Sequence, residues 1–406
     1  MKKLYFTLVL ALFATTYALA YKNSISLAGK WNFEIDREDK GIEQKWFSKN
    51  LSDNIALPGS MTENMKGDKL TLETQFTGSI YDSSWFFNPA MEKYRHAENL
   101  KMPFWLTPLL HYIGAAWYSR TIEIPKNWQD NEITLYLERA HISTQVWIGD
   151  VYLGKQISLN TPHLYTLPKN IRAGKHRLTI LIDNRMNDVD VGLNSHSVSD
   201  HTQTNWNGVV GRIELQSRPV INISDIQVFP DIENKSTLVK IALKNHTNKA
   251  QKGEIALFAE SFNSEKQHKT EVLKIPVSLK TGNDTITANL PFGEDILLWS
   301  EFDPALYKLS ANFVSGKITD NYETTFGMRQ MGIEGKYLTI NGQKTVLRGT
   351  VENCIFPLTG YPPADVASWE RVFRICKSYG LNHVRFHSYC PPEAAFKAAE
   401  IGRAHV

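Results

Sequence analysis

The sequence predicts a mainly β, multi-domain chain: a jelly-roll β-sandwich, an immunoglobulin-like β-sandwich, then the first β-α-β of a truncated (β/α)8 TIM barrel. Three observations predict it. Short apolar or alternating runs, punctuated by Gly, Pro and Asn turns, fill residues 22–218. A second set of alternating, β-branched runs extends from Pro219 to about Arg329, with turns at roughly ten-residue spacing. The pattern then changes to strand, loop, helix and strand between Thr345 and Phe386.

In chain order, residues 1–20 read as a signal peptide. Lys2 and Lys3 form a positive start, Leu4 to Leu12 an apolar run, and Ala18-Leu19-Ala20 a small-residue cleavage site. That pattern predicts export to the periplasm or the extracellular space, and an apolar run this short is a poor membrane span. The jelly roll is assigned to residues 21–218, with strands at Gly29–Ile35, Trp117–Ile124, Ile133–Leu137, Thr144–Ile148, Leu178–Ile182 and Arg212–Leu215. An insert, Leu70–His111, carries Trp85, Phe86, Phe87, Phe104 and Trp105 with little periodicity, which marks a functional loop. The immunoglobulin-like unit takes 219–330 and shows no chemistry of its own. An incomplete barrel takes 331–399, with a first strand at Thr345–Leu347 and a second at Asn382–Phe386. Residues 400–406, Glu-Ile-Gly-Arg-Ala-His-Val, read as a non-native tail, since they resemble a translated adapter sequence, and a genuine short protein is disfavoured because two strands cannot close a barrel.

Composition excludes several classes. With a net charge of +3 and no long basic or acidic run, nothing supports a nucleic-acid partner. The three cysteines, Cys354, Cys376 and Cys390, fall late in the chain. Their odd number forbids complete pairing, and no CxxC or His/Cys spacing predicts a metal site. No cofactor is expected, and the oligomeric state is unreadable.

Several motifs then carry a resemblance. They are Leu27-Ala-Gly-Lys-Trp-Asn-Phe33, Leu57-Pro-Gly59, Gly114-Ala-Ala-Trp-Tyr-Ser-Arg120, Val146-Trp-Ile-Gly-Asp-Val-Tyr-Leu-Gly154 and Gly208-Val-Val-Gly-Arg-Ile213. Next come Leu298-Trp-Ser-Glu-Phe-Asp-Pro-Ala-Leu-Tyr-Lys-Leu309, Phe326-Gly-Met-Arg329, Asn341-Gly342 and Leu347-Arg-Gly349. In this order, over nearly the whole mature chain, they resemble the glycoside hydrolase family 2 enzymes, which include β-galactosidases, β-glucuronidases and β-mannosidases. Two loops depart from the family pattern. Thr350-Val-Glu-Asn353 stands where the family often has Asn-His or His-Glu. Arg385-Phe-His-Ser-Tyr-Cys390 stands where it has Arg-x-Ser-His-Tyr-Pro.

The resemblance implies a retaining exo-β-glycosidase, β-galactosidase-like, with β-glucuronidase or another plant-glycan exo-activity as alternatives. Such chemistry needs two carboxyl groups about 5–5.5 Å apart, one protonated and one ionised. In the family these glutamates follow barrel strands four and seven, so no catalytic residue is expected within this sequence and the chain alone is expected to be inactive. Glu352 reads as a pocket-rim residue and Glu393 as a helix-start carboxylate favoured by the dipole. The expected substrate-binding residues are Arg385, His387, Asn353 and Tyr389 at the barrel end, with Asn205 and Trp206 from the jelly roll. Arg385 carries the implied role of bracing the nucleophile and the sugar through charge-assisted hydrogen bonds. The competing class is a non-catalytic carbohydrate-binding sandwich protein. In either case the expected partner is a carbohydrate.

Overall fold

The computed structural model describes residues 23–77, 87–101, 108–187, 195–196, 200 and 205–402. The predicted signal peptide, and Trp85, Phe86, Phe104 and Trp105 of the insert, lie outside the described residues.

The first unit is built from β1 (Asn23–Ser26), β2 (Gly29–Asp36), β3 (Asp53–Leu57), β4 (Gly59–Ser60), β5 (Ala115–Ile124) and β6 (Glu132–Ala140). It continues with β7 (Ser143–Ile148), β8 (Val151–Ile157), β9 (His163–Thr166), β10 (Gly174–Asp183) and β11 (Gly208–Arg218). One sheet runs β1-β11-β6-β9, with β4 also pairing β11; the facing sheet runs β3-β2-β5-β10-β7-β8. Trp31, Phe33, Tyr118, Leu135, Leu137 and Ile180 fill the space between them. Strand alternation should leave Trp117 outside, since its neighbour Tyr118 points inward. Trp117 is nevertheless fully buried. A short 3₁₀ turn, Trp46–Ser48, covers that outer face, with Trp46 packed on Trp117 and Phe47 stacked on Trp147. Asp36 locks the cover, accepting hydrogen bonds from the Trp117 indole and the Gly41 amide.

The second unit comprises β12 (Ile221–Asp231), β13 (Ser236–Asn245), β14 (Gln251–Ser261), β15 (Leu273–Leu279), β16 (Gly282–Pro291), β17 (Tyr307–Ser315) and β18 (Ile318–Phe326). They form a three-stranded sheet, β12-β13-β16, against a four-stranded one, β15-β14-β17-β18. That is the seven-strand arrangement of an immunoglobulin-like sandwich, with its own core around Ile241, Ile255, Tyr307 and Phe313.

A small antiparallel sheet follows, β19 (Met331–Glu334), β20 (Tyr337–Ile340) and β21 (Gln343–Thr345). The first barrel strand is therefore not Thr345–Leu347. It is β22 (Gly349–Glu352), parallel to β23 (His383–Phe386), with helix α1 (Val366–Ser378) as the crossover. The apolar triplet misled because Val346 and Leu347 are exposed in the connection between the hairpin and the barrel strand. Helix α2 (Glu393–Gly402) packs beside α1 and runs on through Glu400, whose carboxylate accepts a hydrogen bond from Thr325 of β18. Of the expected tail, 403–406 lie outside the described residues.

The motif Trp299-Ser-Glu-Phe-Asp-Pro304 fastens the two ends of this arrangement. Glu301 pairs with Arg348 at 3.0 Å and accepts from the Asn382 amide at 2.5 Å. Arg348 and Asn382 are the residues immediately before β22 and β23, so the immunoglobulin-like unit grips the N-terminal ends of both strands. The jelly roll meets the opposite, C-terminal ends.

Candidate functional site at the C-terminal ends of the barrel strands

Side-chain alternation sorts the residues of β23 between two faces. Val384 is 5 % exposed and packs with Trp369 and Phe373 of α1; Phe386 lies on the same side, edge-on to Trp369. Arg385 therefore projects away from the helix, into what would be a barrel lumen. It is exposed and has no hydrogen-bond or ion-pair partner among the described residues. The register pairs Val351 with Arg385 and Glu352 with Phe386. Glu352 thus shares the helix-facing side, away from the expected rim. One carboxylate oxygen accepts from the Cys354 amide and the other is buried without a partner; burial raises its pKa.

Beyond the strand ends, Asn353 is exposed and His387 half-buried. The His387 amide donates to the Glu352 carbonyl, which joins the two strand exits. Its ring lies 4.7 Å from that of His196, so a jelly-roll segment reaches this end of the barrel. Arg385, His387 and Asn353 thus lie together at the C-terminal ends of β22 and β23.

Tyr389, Trp206 and Asn205 occupy different positions. Trp206 is 9 % exposed, with one face stacked on His141 and Tyr361 tilted against it. Its indole is a joint between the jelly roll and the Phe356–Pro362 loop, with no free face for a sugar ring. Gly360 allows that approach: a Cβ there would meet the Trp206 side chain at 2.8 Å. Tyr389 lines a cavity of about 50 Å3 in the same joint, with its hydroxyl buried and unpartnered. Asn205 lies inside the sandwich, bonded to Asn184 and Thr77. Its amide is fully occupied there.

Polar contacts that sequence reasoning missed close the joint. Glu138, 3 % exposed, accepts from the amides of Arg212 and of Glu393, so a jelly-roll carboxylate caps α2. Arg212 pairs with Glu393 at 2.7 Å. Although burial favours its neutral form, Arg212 and Lys397 hold the Glu393 carboxyl below its ordinary pKa. Tyr361 donates to Glu63, Ser60 to the Thr359 carbonyl and Arg139 to the Pro391 carbonyl. No sequence spacing announces these pairs, which join residues up to 299 positions apart. Among the described residues, no group of His, Cys, Asp or Glu gathers to hold a metal ion. No described helix is long and apolar enough to cross a membrane.

The family model for the sugar binding domain of glycosyl hydrolases family 2 matches residues 25–219, and that for glycosyl hydrolases family 2 matches 221–329. A β-glucuronidase of Paenibacillus borealis is 20% identical over 344 residues, covering 80% of this chain and 48% of that protein. A β-galactosidase of Halalkalibacterium halodurans is 20% identical over 370 residues, covering 90% of this chain and 33% of the relative. The chain thus spans from about a third to about half the length of these curated relatives. Among solved structures, Bacteroides uniformis β-glucuronidase 2, covalently bound to cyclophellitol-6-carboxylate aziridine, superposes with a TM-score of 0.69 at 16% identity. The match covers 94% of this chain and 42% of that one. A β-galacturonidase from Eisenbergiella tayi bound to galacturonate gives 0.66 at 16% identity, covering 94% and 56%. At such identities these likenesses speak for the fold.

Proposed function

Because the chain belongs to glycosyl hydrolases family 2, we propose that it is the sugar-binding, immunoglobulin-like and first barrel portion of an exported, retaining exo-β-glycosidase. Its substrate is a non-reducing β-galactoside or closely related β-glycan end, with a β-glucuronide as the alternative. The observation that carries this reading is Arg385, exposed and without a partner among the described residues on the lumen side of β23, beside His387 and Asn353. A guanidinium with five free donors at a strand exit holds a carboxylate ionised and fixes its orientation. That is what a glycosidase nucleophile needs before it attacks the anomeric carbon. The carboxylates described near this end are not placed for that attack: Glu352 faces the helix side and Glu393 is tied to Arg212. The attacking and proton-donating groups therefore belong to later barrel strands.

The test begins with sequencing the source gene on through the Val406 codon, followed by expression of the whole reading frame. The full product should hydrolyse nitrophenyl β-galactoside or β-glucuronide with retention of configuration. Arg385→Ala should lower kcat by about 10²–10³, the cost of losing one preorganised charge-stabilising donor. A stop codon directly after Val406, or an unimpaired Arg385→Ala enzyme, overturns the reading. The first outcome leaves the carbohydrate-binding sandwich as the alternative.

A further inference from the structure

The exit of β23 turns at one residue. Ser388 follows directly after His387 and adopts φ +62°. That left-handed conformation is uncommon for a residue with a side chain and persists only where the surroundings hold it. The jelly roll holds it from just downstream. Asn160 Oδ1 accepts from the Cys390 amide at 3.1 Å, Arg139 donates to the Pro391 carbonyl at 3.0 Å, and Glu138 accepts from the Glu393 amide at 2.8 Å. On the upstream side the His387 amide donates to the Glu352 carbonyl at 2.8 Å. The turn is fixed at both ends, so relaxing Ser388 to an extended backbone would pull against these contacts.

The turn aims the Ser388 hydroxyl at the ring of its neighbour, with Oγ 2.8 Å from His387 Nδ1. The chemistry of the pair selects a direction. A hydroxyl has one proton to give, and a neutral imidazole has one nitrogen that can accept it. Among the described residues no other acceptor takes the Ser388 hydroxyl. It therefore donates to Nδ1, which places the ring proton on Nε2. The His196 ring, 4.7 Å away and tilted by 45°, packs beside the same imidazole and limits its rotation.

We propose that Ser388 is a positioning residue: it holds His387 in one orientation as the Nε2–H tautomer, so that the imidazole donates a hydrogen bond to an oxygen of the bound glycoside. The glycoside rests on the function proposed above; the state of the ring does not. Ser388 acts only through His387, and its left-handed backbone is what brings a hydroxyl one residue along the chain back onto the ring.

Two measurements test it. In the 406-residue chain, long-range proton–nitrogen NMR of labelled histidine reads the His387 tautomer, assigned against His387→Gln. The parent should show the Nε2–H pattern alone. Ser388→Gly removes the hydroxyl and suits the left-handed backbone, so its melt should be no lower while the ring nitrogens shift to the averaged values of exchanging tautomers. A parent ring that is already averaged or protonated on Nδ1, or a pattern unchanged in Ser388→Gly, overturns the inference. In the product of the whole reading frame, Ser388→Gly should lower kcat/KM on nitrophenyl β-glycosides about three- to ten-fold, the worth of one hydrogen bond. It should lower it no further in a His387→Ala background. Additive losses mean that Ser388 acts by another route, and they overturn the inference even where the NMR agrees. A full product that hydrolyses no glycoside overturns the proposed function and with it the donor role towards a glycoside, a failure distinct from a wrong tautomer, which the NMR judges independently.

Discussion

Gly211 shows how one residue couples the sandwich to the barrel. It sits at φ +75° in the irregularity of β11 between Val210 and Ile213. A Cβ there would lie 2.4 Å from the Glu138 carboxyl, the group that caps α2. Gly211→Ala should therefore cost about 2–4 kcal/mol, combining a left-handed backbone with displacement of a buried carboxylate. Urea unfolding of the variant measures it, and a loss below about 0.5 kcal/mol would show that the bulge tolerates a side chain. Two buried histidines set the pH response. Burial, partly offset by Asn205, lowers the His141 pKa from 6.5 to about 4; burial likewise lowers that of His163 to about 4. A depressed folded pKa means that the unfolded chain takes up the proton first. Stability is complete above about pH 6.5 and is lost progressively down to about pH 4, by roughly 3 kcal/mol for His141. Chemical denaturation at pH 7 and pH 4.5 should show the drop, and His141→Phe should flatten it. Neither histidine stood out in the sequence, since nothing local tells a buried imidazole from one at a strand edge.

Elements were legible where burial is periodic and illegible where it is not. Every strand run predicted for the jelly roll lies on a strand, because each alternates against a buried sheet face. The start of the barrel was displaced by a few residues because Thr345-Val-Leu347 has strand composition but no sheet to join. Its neighbour Arg348 decides the register through Glu301, and that contact crosses 47 residues. The position of Arg385 on β23 was legible from its place one residue inside an apolar strand. Trp206 was not, because the loop that covers it is held by long-range contacts, Ser60 to the Thr359 carbonyl and Tyr361 to Glu63. Glu301→Ala should release β22 and β23 at their N-terminal ends. Limited trypsin digestion should then cut at Lys336, Lys344 or Arg348 several-fold faster than in the parent chain, while the fragment ending near Arg329 survives. Equal rates would mean that the strands are held from the jelly-roll side alone.

At the scale of the molecule, the two sandwiches each close a core of their own, whereas the parallel pair β22-β23 does not. Two strands bury one face against α1 and α2 and leave Val351 and Arg385 open on the other. Among the described residues, no carboxylate pairs with Arg385. Retaining hydrolysis depends on two carboxyl groups held about 5–5.5 Å apart in contrasting environments. A single wall of a barrel offers one environment and no such pair. The 406-residue chain should therefore give no turnover of nitrophenyl β-galactoside or β-glucuronide above the buffer rate, at any pH between 4 and 8. It should nevertheless fold, with a cooperative melt from its two sandwich cores. Turnover by the purified chain, abolished by Glu352→Gln, would place the catalytic carboxylate on the helix-facing side of β22 and reverse the assignment of faces on which the proposed site depends.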